Sequence, residues 1–418
     1  QIKLSKINDI KHFKKQVELM RIAGVRKCYI DDIISFATNN NLKFDANPYL
    51  FAFNNCIYDL HTGEFVSPNY TDYISKTAGY DYKKPDIKNI NLLEELIDSI
   101  FPDREVKDYY LSILATGLCG IQMENCFIAT GTGGNGKSLI NSLMMKTVGQ
   151  YGYKLQSNVL LNDIKSGANP EVANLDNIRF ALVQEPSNKK KICCSTLKEI
   201  SGDKTLNVRG LYQSKCGIDL LLTLIMECNG VPLLDEVNDA IIRRLRICCF
   251  ITKSVSKEIY DEMEDKTNLT VVNSYYKTDQ FQDEYKLCLF EILATYFKEF
   301  HKTNTLKDMP KSCAVKCRDY LATSDDVYSW FEEFYETDEN AEPVLLTEVY
   351  DKFRYSSVYE QMSKLDKRTY NRKNFIERVE NNVFLKKFCR IKNSYYNNKQ
   401  IKGDYLIGWK LIEIIQEE

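Results

Sequence analysis

Gly131-Thr132-Gly133-Gly134-Asn135-Gly136-Lys137-Ser138 decides how this chain is read. The octet fits G-x-x-x-x-G-K-[ST], the pattern of a phosphate-binding loop. Glycines let successive backbone N–H groups wrap a β-phosphate at a helix N-terminus. In such a loop Lys137 neutralises the β/γ charge and Ser138 ligates Mg²⁺. The flanks agree, because Cys126-Phe127-Ile128-Ala129-Thr130 reads as an apolar strand entering the loop and Leu139 to Met145 is helix-compatible. Residues 131–138 are therefore expected to bind a nucleotide with Mg²⁺.

Outward from the loop, Arg179-Phe180-Ala181-Leu182-Val183-Gln184 is a second strand. It ends in Glu185, where such folds place an acid that polarises an attacking water. A strand-end glutamate reads equally well as surface charge. Gln184 stands where a metal-directed acid is usual, so Ser138 and Glu185 are the expected metal-facing side chains, with phosphates and water completing the shell. A third strand, Leu220 to Cys228, ends in Asn229-Gly230, whose amide can orient water or sense a γ-phosphate. Beyond it, Arg243 and Arg244 in Ile241-Ile242-Arg243-Arg244-Leu245-Arg246 are candidates for a guanidinium acting in trans, or are surface arginines. These runs are apolar on both faces, as strands of a covered sheet are, so the fold class is α/β.

The length of 418 residues suggests two or three domains at roughly 150 residues each. With 44% hydrophobic and 27% charged residues the composition is globular, which excludes disordered and fibrous chains. The longest apolar stretch, Leu220 to Met226, is far short of the ~18 residues of a membrane span, so no membrane association is expected. The start Gln1-Ile2-Lys3 has neither an initiator Met nor a signal layout and reads as a fragment or processed product. Fourteen cysteines without repeated C-x-x-C spacing read as reduced, intracellular thiols.

Four zones follow. Residues 1–105 begin with helical spacing (Phe13, Val17, Met20; Ile30, Ile33, Ile34) and pass into strand-and-turn texture near Asn47 to Asn55. Residues 106–255 alternate strands and helices, and 256–320 carry a broad helical stripe with Leu287, Phe290, Leu293, Phe297 and Phe300. Residues 321–418 change sign: Leu321 to Tyr350 hold nine Asp and Glu and no Lys or Arg, whereas Lys352 to Lys402 hold fourteen Lys and Arg against four acids. The formal net charge of −2 hides that partition.

The order of these elements resembles the superfamily 3 helicases, most closely the primase-helicase branch of poxviruses, African swine fever-type and giant DNA viruses, and satellite phages. Gly131 to Ser138 resembles its first motif, Arg179 to Pro186 its second, and Leu224 to Pro232 with Asn229 its third; Ile242-Arg243-Arg244-Leu245 looks like the finger-bearing end. Ser201-Gly202-Asp203-Lys204 with Val208-Arg209-Gly210-Leu211-Tyr212 looks like the segment this superfamily inserts, and Phe51 to Gly63 is similar to the domain preceding the ATPase. The resemblance implies a P-loop AAA+ core (106–255), an N-terminal mainly helical collar-type domain (1–105) and a helical linker or lid (256–320). It further implies ATP as nucleotide and a homo-hexameric ring that moves 3′-to-5′ on single-stranded or forked DNA. Lys204, Arg209 and Lys215 would line the channel, and Lys137, Glu185, Asn229 and one of Arg243 and Arg244 would act in hydrolysis. An upstream primase domain, other replication proteins as partners, and a viral replication factory in the host-cell cytoplasm belong to the same implication.

The last zone, 321–418, looks like a winged-helix module: helices at Thr347 to Phe353 and Asn371 to Phe384, then strands around Cys389 to Lys392 and Tyr405 to Ile407 flanking Asn397-Asn398. Arg372, Lys373, Lys386, Lys387 and Lys392, interleaved with Tyr370, Phe375, Tyr395 and Tyr396, suit DNA phosphate contact. Two other functions share the loop: a nucleotide kinase, and an ATP-driven DNA packaging or assembly platform.

Overall fold

The computed structural model describes residues 2–37, 43–164, 169–208, 210, 217–338, 340–362, 364–382, 384–385, 391–396 and 399–412. The chain divides into two compact units, Gln1–Ala46 with Tyr70–Ser75, and Asn47–Asn69 with Lys76–Glu418. The first unit is built on helices Ile2–Leu19 and Ala23–Ala37. Its return segment is tied by Asp45, whose N–H donates to Tyr73 O at 3.0 Å and whose carboxylate accepts from Ser75 N at 2.9 Å. Phe13, Ile30, Ile33 and Ile34 are exposed there.

The second unit is organised around a five-stranded parallel sheet. Its strands are β1 (Cys126–Thr130), β2 (Gly152–Leu155), β3 (Phe180–Gln184), β4 (Thr223–Cys228) and β5 (Leu245–Cys249), in the spatial order β5-β1-β4-β3-β2. Alternation along each strand splits the apolar residues between two cores. Phe127, Ala129, Phe180, Leu182, Ile225 and Cys248 point into one, and Cys126, Ile128, Ala181, Val183, Leu224 and Ile247 into the other. Both faces are covered by helices, which is why the strands read as continuous apolar runs.

On the first face the long helix Asp279–Thr303 packs against Lys137–Val148, Arg104–Thr116 and Ile87–Ile100. It starts where the Thr278 side chain accepts from Phe281 N at 3.2 Å and stops at Asn304, whose φ of 52° takes the chain into the left-handed region. Phe290, Leu293 and Phe297 are wholly buried along it, each contributing about 1.5–3 kcal/mol by leaving water. Lys311–Ser324 lies against β5, burying Cys313 in the first core and Cys317 in the second.

Arg179, just before β3, joins elements instead of meeting solvent. Its guanidinium donates to Leu118 O at 2.8 Å and Leu50 O at 2.9 Å and stacks 4.1 Å over the Tyr151 ring. It thereby anchors the small antiparallel sheet of Leu50–Ala52, Ile57–Asp59 and Glu64–Val66 to the parallel one.

The C-terminal part has its own core of Trp330, Phe331, Phe353, Phe375 and Trp409. Helices Leu346–Arg354 and Arg372–Asn381 lie at the expected places, the second capped by the Asn371 side chain accepting from Asn374 N at 3.0 Å. Ile391–Tyr396 pairs antiparallel with Lys399–Leu406, and Val344–Leu345 adds a third strand. Tyr370 and Phe375 are buried in this core, so they are not the surface aromatics that their interleaving with bases suggests.

Candidate functional site

The loop leaves β1 at Thr130 and re-enters helix at Lys137. Glycine is required at two of its positions by what surrounds them. A Cβ on Gly131 would lie 2.2 Å from Phe250 O, and Gly136, with φ 84°, abuts the Ile100 side chain, where a Cβ would sit 2.8 Å away. Asn135 is buried and braces the loop by donating to Phe250 O at 3.0 Å.

Lys137 is 3% exposed. Its ammonium donates to Gly131 O and Asn135 Oδ1 at 2.8 Å and to Asn229 Oδ1 at 3.1 Å. Burial pulls its pKa below the ordinary lysine value, while the neighbouring carboxylates of Glu227 and Glu185 act the other way. The parallel pairing of β1 with β4 delivers Asn229 to the loop, since Thr130 sits opposite Cys228 in that register. Glu185 follows β3 with φ 44°, a backbone region that non-glycine residues adopt at a cost. Its N–H donates to Glu227 O at 2.8 Å and its side chain is exposed.

Gly133 to Ser138, Glu185 and Asn229 line one cleft of about 1280 Å³. Its other wall is partly apolar and aromatic, with Leu96, Ile100, Tyr276, Phe281 and Tyr285. One polar, amide-rich wall opposite an aromatic one is suited to a ligand with a charged end and a flat apolar end.

The acid in contact with the loop serine is not Glu185, the carboxylate that residue order singles out, but Glu227. Near the end of β4 and 2% exposed, Glu227 accepts from Ser138 Oγ, from Asn141 Nδ2 at 3.1 Å and from Gln184 Nε2 at 3.3 Å. A sequence signal for it exists: a lone charge inside an otherwise apolar strand is expensive to bury without a purpose. The Ser138 hydroxyl, backed by the Glu227 carboxylate, and the Glu185 carboxylate lining the same cleft are hard oxygens of the kind Mg²⁺ takes. Among the described residues no three His, Cys, Asp or Glu gather as a metal cluster, so a cation here would depend on these oxygens and on phosphate.

The adjacent arginines differ. Both lie at the end of helix Asp239–Arg244, whose start is capped by Asn238. Arg243 is exposed, whereas Arg244 donates to Ala240 O at 3.1 Å and covers Gly202 so closely that a Cβ there would lie 2.5 Å from its Nη2. Neither is among the described residues lining the cleft.

The inserted segment forms a short antiparallel pair, Thr205–Leu206 with Ile218–Asp219, and Lys204 beside it is exposed. Arg209 and Lys215 lie outside the described residues, as do Lys386 and Lys387. Lys392 stands on strand Ile391–Tyr396. Arg372 and Lys373 are exposed on the first turn of their helix, where they make long ion pairs to Asp351 at 3.9 Å and Glu377 at 3.8 Å.

The fold is thus mixed α/β on a parallel sheet, with a glycine-rich loop leading into a helix and a lysine and a strand-end amide converging on it. A family described as "D5 N terminal like" matches residues 8–102. The chain is 28% identical over 313 residues to "Putative helicase L207/L206" of Acanthamoeba polyphaga mimivirus, covering 72% of this chain and 32% of that protein. It is 26% identical over 416 residues to "Putative helicase 121R" of Invertebrate iridescent virus 3, covering 94% and 43%, and 23% identical over 282 residues to "Primase D5" of Fowlpox virus (strain NVSL), covering 63% and 35%. These similarities support the viral primase-helicase type of superfamily 3 that the order of motifs implied. The chain spans 32% and 43% of the length of the first two relatives.

Proposed function

We propose that this chain is the ATP-driven helicase part of a viral primase-helicase, an AAA+ ring of six copies that moves 3′-to-5′ along single-stranded DNA at a fork. The observation that carries the proposal is the convergence of Lys137 and Asn229 on the glycine loop, 3.1 Å apart, at the mouth of a nucleotide-sized cleft. In this reading the loop N–H groups and Lys137 bind the β- and γ-phosphates of ATP, Asn229 orients the attacking water, and Glu185 accepts its proton. Mg²⁺ at Ser138 would add the charge neutralisation that phosphoryl transfer needs.

The exposed Arg243 supports a finger that reaches a neighbouring copy's nucleotide, which a ring would require; Arg244, folded on Gly202, is the poorer candidate. The names of the mimivirus and iridescent virus relatives support helicase activity, and that of the fowlpox relative supports a primase partner domain. The same viral relatives support a replication site in the host-cell cytoplasm. The C-terminal part, with Arg372 and Lys373 exposed, supports a winged-helix-like DNA contact.

ATP turnover with and without forked DNA, followed by strand displacement, tests the reading. Turnover raised by DNA and unwinding with ATP but not with a non-hydrolysable analogue is expected. DNA-insensitive turnover would point to a kinase, and DNA-stimulated turnover without unwinding to a packaging or assembly ring.

A further inference from the structure

We propose that Glu227 is the positioning residue for Mg²⁺ at Ser138 and supplies from strand β4 the negative charge that Gln184 on β3 does not carry. The inference rests on the nucleotide-binding reading of the loop. Glu227 lies between the buried Met226 and Cys228 and is 2% exposed, yet among the described residues no Lys or Arg forms an ion pair with it. Lys137 is near enough to feel its charge but directs its donors to Gly131, Asn135 and Asn229. The partners of Glu227 are neutral donors: the Ser138 hydroxyl, the Asn141 amide at 3.1 Å and the Gln184 amide at 3.3 Å. A carboxylate so placed is costly to bury unless a cation shares its surroundings.

The arrangement around it is built. Ser138 and Asn141 are three apart on helix Lys137–Val148, so they stand on one face. Tyr110 Oη donates to Asn141 Oδ1 at 2.6 Å, which turns the amide N–H₂ toward Glu227. In the sheet register Gln184 is the direct neighbour of Glu227, so the amide at the usual acid's place holds its replacement. A hydroxyl that donates to a carboxylate keeps its lone pairs for a cation, and a carboxylate hydrogen-bonded behind a ligand strengthens that ligand.

The test uses the full chain and reads metal binding, not turnover. Affinity for Mn²⁺, followed by electron paramagnetic resonance with a non-hydrolysable ATP analogue present, is compared with affinity for a fluorescent ATP analogue in EDTA. Glu227→Gln is expected to weaken Mn²⁺ binding about tenfold or more while metal-free nucleotide affinity stays within about threefold. The swap Gln184→Glu with Glu227→Gln returns the acid to β3 and is expected to recover most of the Mn²⁺ affinity. Unchanged Mn²⁺ affinity in Glu227→Gln overturns the inference. Should that variant not fold, the swap decides alone: Mn²⁺ affinity within about threefold of wild type supports the role, and a drop beyond that overturns it. Failure of the wild-type protein to bind either nucleotide would instead overturn the nucleotide-binding reading itself.

Discussion

The Lys137 ammonium lies 3.1 Å from the side-chain oxygen of Asn229, joining the glycine loop to the end of a strand 92 residues further along the chain. A cation and an amide locked together this way form a preorganised pair, each limiting the freedom of the other.

Lys137→Ala removes the one charge held inside the loop. Turnover of ATP is expected to fall by about 10²-fold or more, with weaker nucleotide binding. A steady-state phosphate-release assay checks it, and near-normal turnover would sink the assignment of the loop.

Asn229→Ala should separate binding from chemistry. If the amide orients water, turnover drops by about 10²-fold while the affinity for nucleotide changes only a few-fold. Equal losses in both would show that Asn229 holds the ligand and not the attacking water.

Arg243 and Arg244 are expected to behave differently despite adjacency. Arg243→Ala should lose turnover and keep nucleotide binding, and mixing it with Lys137→Ala subunits should restore part of the activity, because each supplies what the other lacks. Arg244→Ala should chiefly lower the melting temperature, because the guanidinium no longer packs on Gly202. No recovery in the mixture would remove the case for action in trans.

Gly131→Ala places a methyl group against Phe250 O, where a Cβ would be 2.2 Å away. Destabilisation of about 1–3 kcal/mol is expected from this overpacking, measurable by chemical denaturation.

Arg372→Glu and Lys373→Glu, on an exposed helix start, should weaken DNA binding evenly across sequences. For every phosphate that the protein ceases to neutralise, the slope of log K against log salt should become shallower by about 1. A salt titration by fluorescence anisotropy gives that slope, and an unchanged value would place the DNA-binding surface elsewhere.

Residue order along the chain was enough to mark the loop, the strand that enters it and the helix that leaves it, because glycine spacing and apolar runs are local properties. It was also enough to point to Asn229, which sits at the end of an apolar run. The role of Arg179 as a clamp between two sheets was not legible, since its acceptors belong to residues 61 and 129 positions away. Tyr370 and Phe375 misled for a related reason: interleaving with bases looks like a contact surface until the helix Arg372–Asn381 is seen to turn Phe375 inward.

Glu227 marks the boundary most clearly. Local pattern establishes that a carboxylate interrupts a buried strand, and no more. Its contact with Ser138, 89 positions earlier, exists because β1 and β3 pair on either side of β4 in a parallel register that puts the loop helix, Gln184 and Glu227 together at the carboxyl ends of the strands. Strand pairing is a non-local event, settled by which apolar faces can be covered together, and a burial cost as large as that of a lone carboxylate is met only by partners that this pairing brings within reach.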